Sequence, residues 1–287
     1  MILSHVQVKP ILGARQEGGG AVAASLDLGL TTTEVSHGPE GVTFPDGQSL
    51  PWERIEEIAQ DEMVCFVVQD DAAEKVHRFS ESLNRFYSLM PTDRAPTLLV
   101  SGIPMHRIQG ITPDQDTLNK IRTISPLTGQ VLDTATGLGY TAIEAARTAE
   151  RVVTVELDLT VLEVARLNPW SRPLFENHKI EQIVGDTFEV VQTFDDASFS
   201  RIVHDPPMFS LAGDLYSGEC YRQLYRVLKR GGRIYHYIGD LDSRSGRNVA
   251  RGVVRRLQEA GFSRVIRKPA AFGVVAIKGG GHHEARL

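Results

Sequence analysis

The segment Val131-Leu-Asp-Thr-Ala-Thr-Gly-Leu-Gly-Tyr140 constrains this chain more than any other. An apolar run closes on an acid, passes two glycines one residue apart, and opens into a helix. Gly137 and Gly139 permit backbone angles and a close approach that a Cβ would block. A ligand can therefore rest on the turn, near the amides of the helix that follows. Dinucleotide-binding proteins use such a turn too, so alone it does not choose a ligand.

Its surroundings define the fold class. From about residue 112, helices expected at Thr112–Ile121, Tyr140–Ala149, Leu159–Asn168, Phe188–Phe194, Glu219–Leu228 and Asn248–Ala260 alternate with apolar strands. The strands are Val131–Asp133, Val152–Glu156, Ile180–Val184, Arg201–His204, Arg233–Ile238, Arg264–Arg267 and Val274–Lys278. This predicts an α/β, doubly wound, mostly parallel sheet with its crevice beyond the C-terminal strand ends. The first hundred residues differ. Short strands at Ala21–Leu28, Thr33–Ser36, Val42–Phe44, Met63–Val68 and Lys75–Phe79 are punctuated by Gly and Pro, with one helix after Pro51. Two prolines in Ser88–Pro96 place the boundary there: a small β-rich N-terminal domain over 1–95 and an α/β domain over 96–287.

A chain of 287 residues buries two such cores without disulfides or metals. Cys65 and Cys220 stand far apart, and His282-His283 lacks partners at ligand spacing, so no metal site and a reducing cytoplasmic setting are expected. The N-terminus lacks signal-peptide features, and no apolar stretch is long enough for a membrane span. Charge is uneven. Residues 1–100 carry seven Lys/Arg against fifteen Asp/Glu, whereas 222–268 carry thirteen against three. Arg247, Arg251, Arg255 and Arg256 fall on adjacent turns of one helix, either as a solvated face or as a surface for phosphates or RNA.

Three acids end successive strands: Asp133, Glu156 and Asp186. Glu156 can hold vicinal ribose hydroxyls with its two oxygens, and Asp186 can accept from an adenine amine. Each also suits a helix N-cap. After the fourth strand comes Asp205-Pro206-Pro207. Two prolines fix φ and remove N–H donors, leaving a carboxylate and carbonyls. Such a turn suits a nucleophile that carries N–H; the alternative is a rigid turn without chemistry.

Together these residues resemble the class I S-adenosylmethionine-dependent methyltransferases over roughly residues 112–278. The resemblance implies S-adenosylmethionine as cofactor, held by Asp133, Ala135, Thr136, Gly137, Gly139, Tyr140, Glu156 and Asp186. Ala135 stands where the family usually has its first glycine. Leu224–Arg233 resembles the family's helix, glycine turn and fifth strand. More narrowly, His204–Phe209, Asn168–Ser171 and Ser101–Arg107 resemble a family of predicted archaeal and bacterial methyltransferases with a β-rich N-terminal region. The Asp-Pro-Pro-aromatic pattern of amino-group methyltransferases implies Asp205, Pro206, Pro207 and Phe209 as catalytic residues, although Met208 occupies the usual aromatic position. His106, Arg107, Tyr216 and His236 are candidate substrate contacts.

The reading is methyl transfer to nitrogen. A spermidine-synthase-like aminopropyl transfer is the alternative, because Leu215–Leu224 and the β-rich front also resemble those enzymes. A non-catalytic cofactor-binding module docking on RNA or a protein is a third. The substrate, small molecule or RNA, stays open, as does homo-oligomerisation through the N-terminal domain.

Overall fold

The computed structural model describes residues 1–15, 20–207 and 212–279. Contacts divide the chain into Met1–Gln115 with Thr160–Phe175, and Asp116–Leu159 with Glu176–Leu287. The division thus falls twenty residues beyond the expected 95/96 boundary. Strand Thr97–Val100 pairs antiparallel with Arg85–Met90, so the chain after the two prolines returns to the sheet before them. The later excursion joins this first unit through Trp170, whose indole N–H donates to the Leu28 carbonyl at 3.0 Å.

The first unit is β-rich, with three small antiparallel sheets and two principal helices before the excursion. Sequence reading missed its helix His5–Arg15, because Pro10 sits inside it. Packing overrides the proline: Val8 and Ile11 join the core with Ile55 and Ile58 of the helix Trp52–Gln60. The strand Arg85–Met90, not expected from the sequence, runs into the Ser88–Pro96 segment read as a boundary. The expected strand Lys75–Phe79 is two, Ala72–Lys75 and His77–Ser80.

The second unit carries a seven-stranded sheet: β1 (Gln130–Asp133), β2 (Arg151–Glu156), β3 (Ile180–Val184), β4 (Phe199–His204), β5 (Leu228–Tyr237), β6 (Arg264–Lys268) and β7 (Gly273–Ile277). Their order is β3-β2-β1-β4-β5-β7-β6. The first five run parallel, and β7 is antiparallel to both its neighbours. Strand order reverses at β1, where register sets Asp133 beside Thr154 of β2 and Val203 of β4. That reversal is where open α/β sheets bind ligands.

Helices α1 (Pro113–Arg122), α2 (Tyr140–Ala146), α3 (Thr187–Gln192), α4 (Gly218–Val227) and α5 (Arg244–Glu259) accompany the sheet. α4 begins where Ser217 Oγ accepts the Cys220 N–H at 3.0 Å. It buries Cys220, Tyr221, Leu224 and Val227, while α5 buries Ala250, Val253 and Leu257. These residues share one core with Leu132, Val153, Ile202 and Ile234 of the strands. No helix among the described residues is long and apolar enough to cross a membrane.

Leu224 is fully buried in this core. Leu224→Ala is expected to lower unfolding free energy by about 2–5 kcal/mol in urea titrations. A loss below about 1 kcal/mol would contradict the packing described.

Candidate active site

The strand ends of the second unit gather the expected acids. Asp133 is fully buried, and its Oδ2 accepts from Thr154 Oγ1 at 2.9 Å and Thr141 Oγ1 at 3.0 Å. One carboxyl thereby ties the end of β1 to β2 and to α2. Burial pushes its pKa up to about 8, against those two hydrogen bonds. Its Oδ1 is buried without a hydrogen-bond partner among the described residues.

The glycine turn follows. Thr136 N–H donates to the Val155 carbonyl at 2.9 Å, and Thr136 and Thr154 hydroxyls meet at 2.7 Å. Gly137 has φ +53°, and a Cβ there would meet no atom within 4 Å, so the turn lies open on that side. Ala135 is part-buried beside it. Gly139, at φ 79°, precedes α2, whose first residue Tyr140 is 7 % exposed.

Glu156 ends β2, with Oε2 accepting the Gly137 N–H at 2.8 Å and Oε1 the Asp158 N–H at 3.2 Å. Burial raises its pKa, and the Gly137 N–H opposes that rise. Asp186 is exposed and caps α3, accepting the Phe188 N–H at 2.7 Å. The cap reading of this residue is therefore realised, and any adenine contact would come from its remaining acceptor capacity. Leu157 and Val184, the latter opposite Glu156 in the register, are large apolar residues left about half exposed at these strand ends. An open glycine turn, an unpartnered buried carboxyl oxygen and exposed apolar residues beside Glu156 fit a nucleoside-bearing cofactor such as S-adenosylmethionine.

The segment expected to carry the chemistry follows β4. Asp205 Oδ2 is 2.7 Å from the ammonium of Lys120, which is 1 % exposed and also 3.0 Å from Asp116 Oδ2 on the same helix α1. Burial pushes the Lys120 pKa down, yet the charges of Asp205 and Asp116 carry it above its ordinary value. Burial raises that of Asp205, and the Lys120 charge opposes the rise. Two carboxylates against one ammonium leave a net negative cluster. The Asp116–Lys120 spacing of i,i+4 is readable on a helix, but its partner Asp205 lies 85 residues away in sequence. Sequence reasoning missed both residues.

Pro206 and Pro207 follow Asp205 directly, with a bend at Pro207. The Tyr216 hydroxyl donates to the Pro207 carbonyl at 3.1 Å, occupying one of the acceptors. Tyr216, expected at the substrate, is 2 % exposed and acts instead as a tie on the turn. His236, also expected at the substrate, is fully buried, with Nε2 2.7 Å from the Tyr221 hydroxyl. Strand alternation sends it into the aromatic layer, with its ring centroid 4.5 Å from that of His204. His204 Nε2–H donates to the Leu215 carbonyl, and Nδ1 accepts from Thr134 Oγ1 at 2.8 Å. Burial lowers the His204 pKa to about 4, keeping the ring neutral. Its two bonds fasten the β1 and β4 ends to the segment after the turn. Phe209 and Met208 lie outside the described residues, as do His282 and His283. His106 lies in the first unit, where Nδ1 is 2.9 Å from Thr97 Oγ1, and Arg107 follows it there.

This fold and constellation resemble those of the class I S-adenosylmethionine-dependent methyltransferases. The family described as "Methyltransferase domain" matches residues 132–236, from β1 into β5. More particularly, the chain belongs to the same family as an uncharacterized protein of Methanocaldococcus jannaschii, to which it is 40 % identical over 276 residues, covering 94 % of this chain and 93 % of that one. A polyamine aminopropyltransferase of Aeropyrum pernix is 33 % identical over 91 residues, covering 30 % of this chain and 29 % of that one. Among solved structures, spermidine synthase from Thermotoga maritima aligns with TM-score 0.57 at 17 % identity, over 79 % of this chain and 84 % of that one. MNMC2 from Aquifex aeolicus aligns with TM-score 0.51 at 18 % identity, over 67 % and 70 %. At such identities the likeness is one of fold.

Burial carries the Asp133 pKa to about 8 in the folded state, from its ordinary value of 3.8 in the unfolded chain. Wild-type stability relative to Asp133→Asn is therefore expected to fall as pH rises from about 4 to 8, by up to ~1.4 kcal/mol per unit. Parallel urea-stability curves for the two proteins would contradict this. Removing the central ammonium with Lys120→Met leaves two carboxylates facing each other and is expected to cost about 3–5 kcal/mol. Neutralising both partners as well, with Asp116→Asn and Asp205→Asn, should recover part of that loss in the same urea assay.

Proposed function

We propose that this protein transfers a methyl group from S-adenosylmethionine to a nitrogen acceptor. The observation carrying this reading is the Asp205-Pro206-Pro207 turn at the end of β4, with its carboxylate fixed at 2.7 Å by buried Lys120. S-adenosylmethionine supplies an electrophilic methyl group on a sulfonium. The protein's task is then to hold the acceptor's lone pair in line. The two prolines offer no N–H to compete for that lone pair. Asp205 accepts the acceptor's N–H bonds, which turns the lone pair away from the carboxylate. The net negative charge of Asp116, Lys120 and Asp205 favours an acceptor that arrives as a cation; it gives up one proton, to the Asp205 carboxylate or to solvent, before its lone pair takes the methyl and the S–CH3 bond breaks to release S-adenosylhomocysteine. Orientation of this kind contributes several kcal/mol, up to about 7–11 in the best intramolecular cases. On the cofactor side, Glu156 would hold the ribose and the Gly137 turn would lie against the remainder.

Aminopropyl transfer is the second reading. It is supported by the match to the Aeropyrum pernix enzyme, and by Asp116, which provides a second carboxylate near the turn. Lys120 stands between the two acids and neutralises one of them, which weakens a polyamine site relative to two free carboxylates.

The chain is to be incubated with methyl-labelled S-adenosylmethionine, or with labelled decarboxylated cofactor, and a panel of amines, nucleosides and cell extract. Methylated nitrogen products are expected only from the first donor. Asp205→Asn should lower kcat/KM at least about a hundredfold while leaving cofactor affinity within about twofold. Turnover with the decarboxylated donor alone would overturn the methyltransferase reading. Unchanged kcat/KM in the variant would remove Asp205 from the chemistry.

A further inference from the structure

The basic stretch noted in the sequence becomes a groove in the second unit. Arg247, Ala250, Arg251, Val254, Arg255 and Gln258 recur at i, i+3, i+4, i+7, i+8 and i+11 along α5, and with Arg267 of β6 they line a cavity of about 580 Å³. β6 is the edge strand of the sheet, so this wall is not covered by another strand. The groove is lined by four arginines and no acid. Arg247 donates to the Asp242 carbonyl, Arg251 to Asn248 Oδ1, and Arg267 to the Leu241 carbonyl at 2.9 Å, all uncharged acceptors. Arg255 meets Glu259 at 3.6 Å, but both are mostly exposed, so that pair neutralises little. A guanidinium has five N–H donors, and one acceptor each leaves most of them for a ligand.

We propose that this groove docks single-stranded nucleic acid through its phosphates. Arg247, Arg251 and Arg255 stand one helical turn apart, about 6 Å of rise per step. A lone phosphorylated metabolite needs one or two such groups; a row of three over about two turns matches a ligand whose negative charge repeats. The surface is concave, and a single strand lies in a groove, whereas reading a duplex calls for an element that projects into one. Among the described residues no aromatic side chain lines it, so the proposed contact is to the phosphates and is insensitive to sequence. The chain as a whole carries a net charge of −5, so the groove is a local positive site on an acidic protein. This site is separate from the strand-end constellation, and its occupancy does not depend on which group that constellation transfers.

The test is fluorescence anisotropy of a short labelled single-stranded RNA of mixed sequence, titrated with the full chain. Between about 50 and 200 mM salt, four phosphate contacts at roughly 0.7 per phosphate predict a loss of affinity near 50-fold. Arg251→Glu with Arg255→Glu is expected to weaken binding at least tenfold at low salt, and Arg251→Lys with Arg255→Lys to keep it within about threefold. Arg267→Ala, on the opposite wall, should lower the salt slope by about 0.7 and serves if the double glutamate variant does not fold. Absence of RNA binding at low salt would overturn the proposal. So would affinity unaffected by the glutamate and alanine variants, or tighter binding to duplex DNA or to phosphatidylserine vesicles than to RNA.

Discussion

A single carboxyl at the centre of the sheet organises the second unit. Asp133 is fully buried where strand order reverses, and through Thr154 and Thr141 it joins β1 to β2 and to the helix after the glycine turn. A buried charge would be expensive there, and the carboxyl stays largely protonated at neutral pH because burial lifts its pKa to about 8. The Gly137 turn, held to Glu156 by one N–H, inherits its position from this junction.

The buried Lys120 does for the chemical end what Asp133 does for the cofactor end. Its ammonium is shared by Asp116 and Asp205, so α1 holds the proline turn after β4. His204 and Tyr216 secure the same region from behind, one through Thr134 and Leu215, the other through the Pro207 carbonyl. The result is a turn fixed from two sides whose remaining polar groups accept.

Much of this was legible in sequence because it depends on local pattern. The alternation of apolar strands and helices located β1 to β7, and acids closing three strands pointed to the crevice. What escaped was long-range or two-valued. A lysine on a helix reads as solvated until Asp205, 85 residues later, is placed against it. Tyr216 and His236 read as substrate contacts because polar residues near strand ends often are; the structure turns both inward, Tyr216 onto the part-buried Pro207 carbonyl and His236 onto the buried Tyr221 hydroxyl. The unit boundary escaped because prolines mark where a strand stops, not which sheet the chain rejoins. The helix His5–Arg15 escaped because Pro10 is a local veto that packing overrides.

Spermidine synthase from Thermotoga maritima shares the fold at low identity, so fold alone does not separate one group transferred from another. The ligand that the strand-end acids and the glycine turn accept is what distinguishes the readings. Titration calorimetry with S-adenosylhomocysteine and with NAD, on wild type and Glu156→Ala, measures this directly. Saturable binding of S-adenosylhomocysteine, lost or weakened at least about tenfold in the variant, with no NAD binding, is the result expected if Glu156 holds the ribose. Binding of NAD, or S-adenosylhomocysteine affinity unchanged by Glu156→Ala, would contradict it.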